Sequence, residues 1–84
     1  MKPVIIYTSG WCPYCIRALH LLDSKDVSYQ NISVDGRPEI RQEMTEKAGR
    51  TSVPQIWIGD RHVGGCDDLV ALERNNQLDG LLQG

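Results

Sequence analysis

The sequence predicts one small α/β domain over residues 1–84, with the element order β-α-β-α-β-β-α. Three features of the chain support this prediction. The chain has only 84 residues, which is too few for two ordinary domains. Short runs of β-branched residues alternate with segments in which apolar residues recur at helical spacing. Glycine and proline lie between these segments, where turns and helix ends are expected.

The first predicted strand and helix lie on either side of a short polar loop. Residues 2–7 form an apolar, β-branched run that ends before Thr8, which is typical of a buried strand. A helix is predicted to begin in the segment 12–15, because Pro13 is well tolerated in a first helical turn. The predicted apolar positions of this helix are Cys15, Ile16, Leu19 and Leu22.

The next two elements complete a β-α-β-α half. Residues 27–34 nearly alternate between apolar and polar, which favours a half-buried strand. Asp35 and Gly36 break that pattern. A charged helix is then predicted to start at Arg37-Pro38 and to run towards Gly49, a residue type that commonly follows the last turn of a helix.

The second half predicts a hairpin followed by a last helix. Residues 55–58 and 61–63 are short apolar runs on either side of Gly59-Asp60, a sequence suited to a tight turn. After Gly64-Gly65, either Asp67 or Asp68 can cap the last helix. The apolar residues of that helix are Leu69, Val70 and Leu72.

Composition and charge exclude several classes of partner. Hydrophobic residues make up 40% of the chain, which is enough for one packed core. Nine basic and eleven acidic residues give a net charge of −2 without a run of like charge, so we expect no binding to nucleic acid or to a membrane surface. No apolar stretch approaches the ~20 residues of a membrane span or resembles a secretory signal. We expect a soluble, cytoplasmic monomer.

The cysteine pattern points to redox chemistry. Three cysteines, an odd number, argue against a framework of structural disulfides. Cys12 and Cys15 form a C-x-x-C motif on a predicted strand-to-helix turn, which is typical of a redox-active dithiol. The dipole at the helix N-terminus stabilises a Cys12 thiolate by roughly 0.3–1 kcal/mol. Cys12 is therefore the predicted nucleophile, and Cys15, one turn further in, is the predicted resolving thiol.

Other interpretations of these residues are structural or metal-binding. Cys12 and Cys15 could instead be a buried pair that only packs, or a zinc site completed by His62 and Cys66. The separation of about 46 residues between the two halves of such a site is longer than zinc-finger spacings. For Cys66 alone and for Trp57, packing in the core is the simplest interpretation.

The chain resembles the glutaredoxins over essentially its whole length. The motifs that carry this resemblance are Tyr7-Thr8, Cys12-Pro13-Tyr14-Cys15, Thr51-Ser52-Val53-Pro54 and Gly64-Gly65-Cys66-Asp67-Asp68. The resemblance implies a thioredoxin fold, with a four-stranded mixed sheet flanked by helices and a cis peptide bond before Pro54. It also implies that glutathione is the reductant and co-substrate, with no tightly bound cofactor and no metal.

The resemblance further implies which residues bind glutathione. Tyr14 lies beside the sulfur, and Val53, between Ser52 and Pro54, pairs with the cysteinyl backbone. Cys66, Asp67 and Asp68 lie at the γ-glutamyl end. Arg41 matches a position that commonly meets the glycine carboxylate. The residues themselves support the γ-glutamyl site, because a helix N-terminus attracts a carboxylate and an aspartate attracts an ammonium group.

Two residues depart from the pattern of the relatives. Ser9 stands three residues before Cys12, where many glutaredoxins have a lysine or arginine. A positive charge that would stabilise the thiolate and attract glutathione is therefore missing. Trp11, directly before Cys12, is more typical of thioredoxins and alters the surface that a protein substrate would meet.

The predicted function is glutathione-dependent thiol–disulfide exchange that contributes to cell redox homeostasis. The Cys12/Cys15 dithiol is expected to reduce glutathione mixed disulfides and protein disulfides. Expected partners are glutathione and glutathionylated or disulfide-containing proteins, with ribonucleotide reductase among the candidates. One alternative is a carrier of a glutathione-ligated iron–sulfur cluster held by Cys12 of two chains. Another, favoured by Trp11 alone, is a thioredoxin-like protein reduced by a flavoprotein.

Overall fold

Four strands form one mixed sheet in the structure, a computed structural model that describes residues 2–84. The strands are β1 (Val4–Thr8), β2 (Tyr29–Ser33), β3 (Gln55–Ile58) and β4 (Arg61–Gly64). Their order in the sheet is β2-β1-β3-β4. Strand β1 is parallel to β2 and antiparallel to β3, and β3 is antiparallel to β4. The sheet is therefore mixed and four-stranded, as predicted.

Helices follow the strands in the predicted order, with one addition. They are α1 (Pro13–Ser24), α2 (Pro38–Ala48), α3 (Cys66–Arg74) and α4 (Leu78–Gln83). Helices α1 and α2 both begin at a proline, which lacks only an N–H that the first turn would leave unpaired. Helix α2 ends at Gly49, whose φ of 73° is readily accessible to glycine. None of the helices in residues 2–84 is long and apolar enough to cross a membrane.

The sequence pattern did not predict α4 and misplaced two details of the other helices. Helix α4 is only six residues long and contains Gly80, so its local helix preference is weak. Buried Leu78 and Leu82, four residues apart, hold it against the core. In α1, Ile16 is 48% exposed, and Ala18 occupies the buried position instead. Helix α3 begins before the predicted aspartate caps, with Gly65 as its N-cap.

Apolar residues cover both faces of the sheet because side chains alternate along each strand. Ile6 and Ile56 belong to a buried cluster with residues of α1, α3 and α4, whereas Tyr7 belongs to a second cluster with Met44 of α2. Trp57 packs edge-on against Tyr7 at 5.5 Å between ring centroids, which agrees with its predicted packing role. The central strands are thus fixed from both sides.

One edge of the sheet gathers the segments that carry the sequence motifs. Strands β1 and β2 end there, with Thr8 opposite Ser33, because they are parallel. Strand β3 begins at the same edge, with Gln55 opposite Tyr7. Antiparallel β4 ends there as well, with Gly64 opposite Ile56. The loops that follow β1, β2 and β4 therefore meet the loop that precedes β3.

Candidate active site

Cys12 is the N-cap residue of α1. Its extended backbone conformation directs the side chain back over the first turn, and its Sγ accepts the Cys15 N–H at 3.2 Å. The Cys12 thiol also donates towards the Val53 carbonyl oxygen, with 3.7 Å between Sγ and O. The sulfur is half-buried and faces the end of a helix dipole. The Cys12 sulfur thus lies at a helix N-terminus, at a position that a substrate can reach.

Cys15 lies one helical turn further in and is only 1% exposed. Burial, together with the adjacent Cys12, raises the pKa of the Cys15 thiol to about 12. Cys15 therefore stays protonated at neutral pH. The two cysteines share a motif but differ in their access to solvent, which gives them different chemical roles.

This asymmetry predicts selective alkylation. With iodoacetamide at neutral pH, we expect Cys12 to be modified at least tenfold faster than Cys15 and Cys66, because both of those thiols are buried and have raised pKa values. Mass spectrometry of proteolytic peptides after increasing reaction times measures the three rates in one sample. Equal rates at Cys12 and Cys15 would contradict the asymmetry. Unfolding in denaturant is the control, since it should bring the three rates close together.

A groove of about 210 Å³ lies beside Cys12 and is open to solvent. It is bounded by the start of α1, the segment before β3 and the N-terminus of α3. Its lining residues are Tyr14, Arg50, Ser52, Val53, Pro54, Gly65, Cys66, Asp67 and Asp68. The structure thus brings together all the predicted glutathione-binding residues except Arg41. The Val53–Pro54 peptide bond is cis.

The two aspartates at the start of α3 have different surroundings. Asp68 accepts the Gly65 N–H at 2.9 Å and pairs with Arg50 at 3.3 Å. The Gly65 hydrogen bond, with a further contribution from Arg50, lowers the pKa of Asp68. Asp67 is exposed, and its carboxylate makes no hydrogen bond or ion pair with the residues that the structure describes. Asp67 is therefore the carboxylate available for a bound ammonium group.

Arg50 is a groove residue that the sequence analysis missed. It lies directly before the segment 51–54, and its guanidinium reaches Asp68 across the groove. Arg41 lies outside the lining and donates from Nη2 to the Thr51 carbonyl oxygen at 3.0 Å. Arg41 thus contacts the segment 51–54, whereas Arg50 contacts the start of α3. The signal in the sequence was the position of Arg50, a basic residue directly before the segment 51–54.

Cys66 both lines the groove and belongs to the buried core. Burial raises the pKa of its thiol, which makes it a poor nucleophile. The zinc site considered from the sequence is not formed. Within residues 2–84, the structure contains no group of three or more histidine, cysteine or acidic side chains arranged to hold a metal ion. His62 instead lies 2.7 Å from the Gln55 amide oxygen.

A carboxylate at the end of β2 holds the loop before Cys12. Asp35 accepts hydrogen bonds from the Ser9 hydroxyl and the Gly10 N–H, both at 2.7 Å. These two bonds, the hydroxyl first, lower the pKa of Asp35. Ser9 therefore helps to hold the loop that precedes Cys12. Sequence spacing alone gave no indication that Asp35 and Ser9 would meet.

The exposed large apolar side chains of residues 2–84 are all close to Cys12 in sequence. They are Trp11, which is 99% exposed, Tyr14 and Ile16. An apolar residue before a helix N-cap often packs on the fourth helical residue, which would be Ile16 here. The exposure of Trp11 shows that this contact is not made. Exposed apolar side chains therefore lie on either side of Cys12 in the sequence.

The chain is similar to known proteins over nearly its whole length. Residues 4–63 match the family model described as Glutaredoxin. The chain is 65% identical over 82 residues to the glutaredoxin of Pseudomonas aeruginosa, with 98% of each chain covered. It is 53% identical over 83 residues to glutaredoxin 3 of Escherichia coli, covering 99% of this chain and all of that protein.

The fold is also found among solved structures. The structure of a buckwheat glutaredoxin–glutathione complex matches with a TM-score of 0.90 and 29% identity, over 98% of this chain and 77% of that chain. This agreement confirms the predicted thioredoxin fold.

Proposed function

The chain belongs to the glutaredoxin family of thiol–disulfide oxidoreductases, and we propose that it reduces glutathione mixed disulfides through Cys12 and protein disulfides through Cys12 and Cys15 together. The observation that carries this proposal is the asymmetry of the two thiols beside one groove. Cys12 is accessible at a helix N-terminus, whereas Cys15 is buried and protonated. Homologous glutaredoxins and the buckwheat glutaredoxin–glutathione complex support glutathione as the co-substrate.

Removal of glutathione from a substrate proceeds in two exchange steps. The Cys12 thiolate attacks the glutathione sulfur of the mixed disulfide, and the substrate leaves as a thiolate that takes a proton from solvent. A second glutathione thiolate then attacks the glutathione sulfur bound to Cys12. Oxidised glutathione leaves, and Cys12 returns to its thiolate form. The helix terminus aids this second step, because a stabilised thiolate is a better leaving group.

The groove residues suit the separate parts of glutathione. The free Asp67 carboxylate would pair with the α-ammonium group of the γ-glutamyl end, and the first N–H groups of α3 would meet its carboxylate. The Val53 backbone would pair with the cysteinyl backbone in an extended, strand-like manner. Arg41, which contacts the Thr51 carbonyl oxygen, would receive the glycine carboxylate, and Arg50 is a second cation near the groove.

Protein disulfides require the second thiol. Attack by the Cys12 thiolate on the client disulfide forms a mixed disulfide, and the client's other sulfur leaves as a thiolate that takes a proton from solvent. Cys15 then attacks the Cys12 sulfur, which forms the Cys12–Cys15 disulfide and releases the client as a dithiol. Two glutathione molecules reduce that disulfide and leave as oxidised glutathione.

Cys15 must lose its proton before it attacks Cys12. A Cys12 sulfur in a disulfide carries no charge, so the part of the raised Cys15 pKa that comes from Cys12 disappears at this stage. We place these reactions in the cytoplasm, with ribonucleotide reductase among the candidate clients.

A coupled assay tests the proposed function. Glutathione, glutathione reductase, NADPH and a glutathionylated peptide are mixed with the protein, and NADPH oxidation is followed. We expect turnover that depends on both glutathione and Cys12. A rate no higher than that of glutathione alone would contradict the proposal.

The exposed Trp11 side chain next to Cys12 predicts a preference among clients. Replacing Trp11 by alanine should lower kcat/KM about three- to tenfold for glutathionylated peptides with a large apolar residue next to the cysteine, since that residue can bury part of the exposed indole. Activity towards a small glutathione mixed disulfide should change less than twofold. Trp11→Phe is the matched control and should retain most of the peptide activity. An equal loss with both substrates would mean that Trp11 acts on Cys12 instead.

The iron–sulfur carrier is the alternative to this function. It would need two chains, because Cys12 is the one half-exposed cysteine, and Cys15 and Cys66 are buried. The visible absorbance of protein freshly purified without oxygen separates the two functions. A cluster-bound dimer absorbing above 400 nm would support the carrier, and a colourless protein active in the coupled assay would support the oxidoreductase.

A further inference from the structure

Gln55 is a fully buried polar residue at the start of β3. Its exposed fraction is 0%. The amide Nε2 donates to the Ser52 carbonyl oxygen at 3.0 Å and to the Ser52 hydroxyl at 3.3 Å. Its Oε1 lies 2.7 Å from His62 Nε2 and accepts that N–H. The amide nitrogen therefore bonds to the segment that borders the groove, and the amide oxygen bonds to β4.

The hydrogen bond to Ser52 fixes the orientation of the next peptide unit. The Ser52–Val53 peptide bond is trans, so its C=O and N–H point in opposite directions. The Ser52 C=O points to Gln55 in the interior. The Val53 N–H must then point away from Gln55, towards the open side of the segment. This N–H is one of the two backbone groups available to pair with a bound peptide backbone.

His62 holds the other end of the Gln55 amide. Its ring stacks on Trp57 with 4.6 Å between centroids, which limits its rotation. Burial, with a smaller contribution from Arg50, lowers the pKa of His62, so the ring is mostly neutral near pH 7. A neutral ring that donates from Nε2 has its proton there and not on Nδ1. The Gln55 side chain is thus fixed from β4 and from the segment before β3.

We propose that Gln55, held by His62, is a positioning residue that orients the Val53 N–H for the cysteinyl backbone of a glutathione moiety. Gln55 lies behind the groove and does not line it, so it acts through Ser52 and Val53. The inference rests on the proposed function. It predicts that changes at Gln55 weaken substrate binding and leave the reactivity of the Cys12 sulfur intact.

The test replaces Gln55 by glutamate, which has nearly the same shape but no N–H to donate to Ser52. We expect KM for a glutathionylated peptide to rise about tenfold at neutral pH, the size of one lost hydrogen bond. The rate of Cys12 alkylation by iodoacetamide, which needs no groove, should stay within twofold. Gln30→Glu adds the same charge on the exposed face of β2 and is the matched control.

A second variant covers the case in which Gln55→Glu does not fold. His62→Phe keeps a ring that can stack on Trp57 but removes the donor to Gln55, and KM should rise two- to fivefold. KM within twofold of wild type in every folded variant would overturn the inference. A rise in KM accompanied by an equally large fall in the rate of Cys12 alkylation would also overturn it. A wild-type protein inactive towards the peptide would instead contradict the proposed function itself.

Discussion

Replacing Cys12 by serine is expected to abolish both deglutathionylation and protein-disulfide reduction, with losses of more than a thousandfold. Replacing Cys15 by serine should retain most deglutathionylation activity and lose most protein-disulfide reduction. The reason is that glutathione can displace glutathione from Cys12, whereas a bound client is released by a thiol held close to the mixed disulfide. Cys15 supplies that thiol at a high effective concentration.

Both activities are measured on the same preparations, with a glutathionylated peptide and with a disulfide-containing protein. Cys66→Ser is the matched control for the loss of a thiol, because serine nearly keeps the shape of this groove-lining side chain and the buried Cys66 thiol should not react. It should retain both activities. If Cys15→Ser abolished both activities while Cys12→Ser retained either, the nucleophile and the resolving thiol would be reversed.

The second large effect distinguishes the two aspartates at the start of α3. Asp67→Asn should raise KM for glutathionylated substrates about tenfold, because the carboxylate without a protein partner is the one left to bind the ammonium group. Asp68→Asn removes the same formal charge from the next residue. We expect it to raise KM less than threefold, since the Asp68 carboxylate is already bonded to Gly65 and Arg50.

Asp67→Asn should have the larger effect on KM, but Asp68→Asn should have the larger effect on the free energy of unfolding. Asp68→Asn weakens a hydrogen bond at the N-terminus of α3 and should cost about 0.5–1 kcal/mol, whereas Asp67→Asn should cost less. The folded-state pKa of Asp68 is lowered, so this stabilisation is fully present at neutral pH. It is lost as the pH falls through the range in which Asp68 takes up its proton.

Thermal unfolding of wild type and both variants at several pH values measures this difference. The Tm gap between wild type and Asp68→Asn should be several degrees at pH 7 and should close in acid. Asp67→Asn with an unchanged KM, or Asp68→Asn with the larger rise in KM, would reverse the assignment of the ammonium-binding carboxylate.

Local sequence signals determined most of the fold. The β-branched runs, the prolines at the starts of α1 and α2 and the glycine after α2 act through the backbone of a few neighbouring residues, so they can be identified without tertiary contacts. The redox role of Cys12 and Cys15 was predicted in the same way, from two cysteines at a strand-to-helix turn. Helix α4 was missed because its stability comes from Leu78 and Leu82 in the core.

Only the tertiary structure decided how the site is assembled. Asp35 lies 25 residues from Gly10, and Arg50 lies 18 residues from Asp68, yet each pair is in contact because the sheet topology brings their loops to one edge. Which aspartate stays free depends on the exact start of α3. The sequence by itself thus determined the fold class and the position of Cys12 and Cys15 at a helix N-terminus, because both depend on short-range patterns. The groove, its charges and the support behind Val53 depend on contacts across the sheet, which spacing along the chain does not encode.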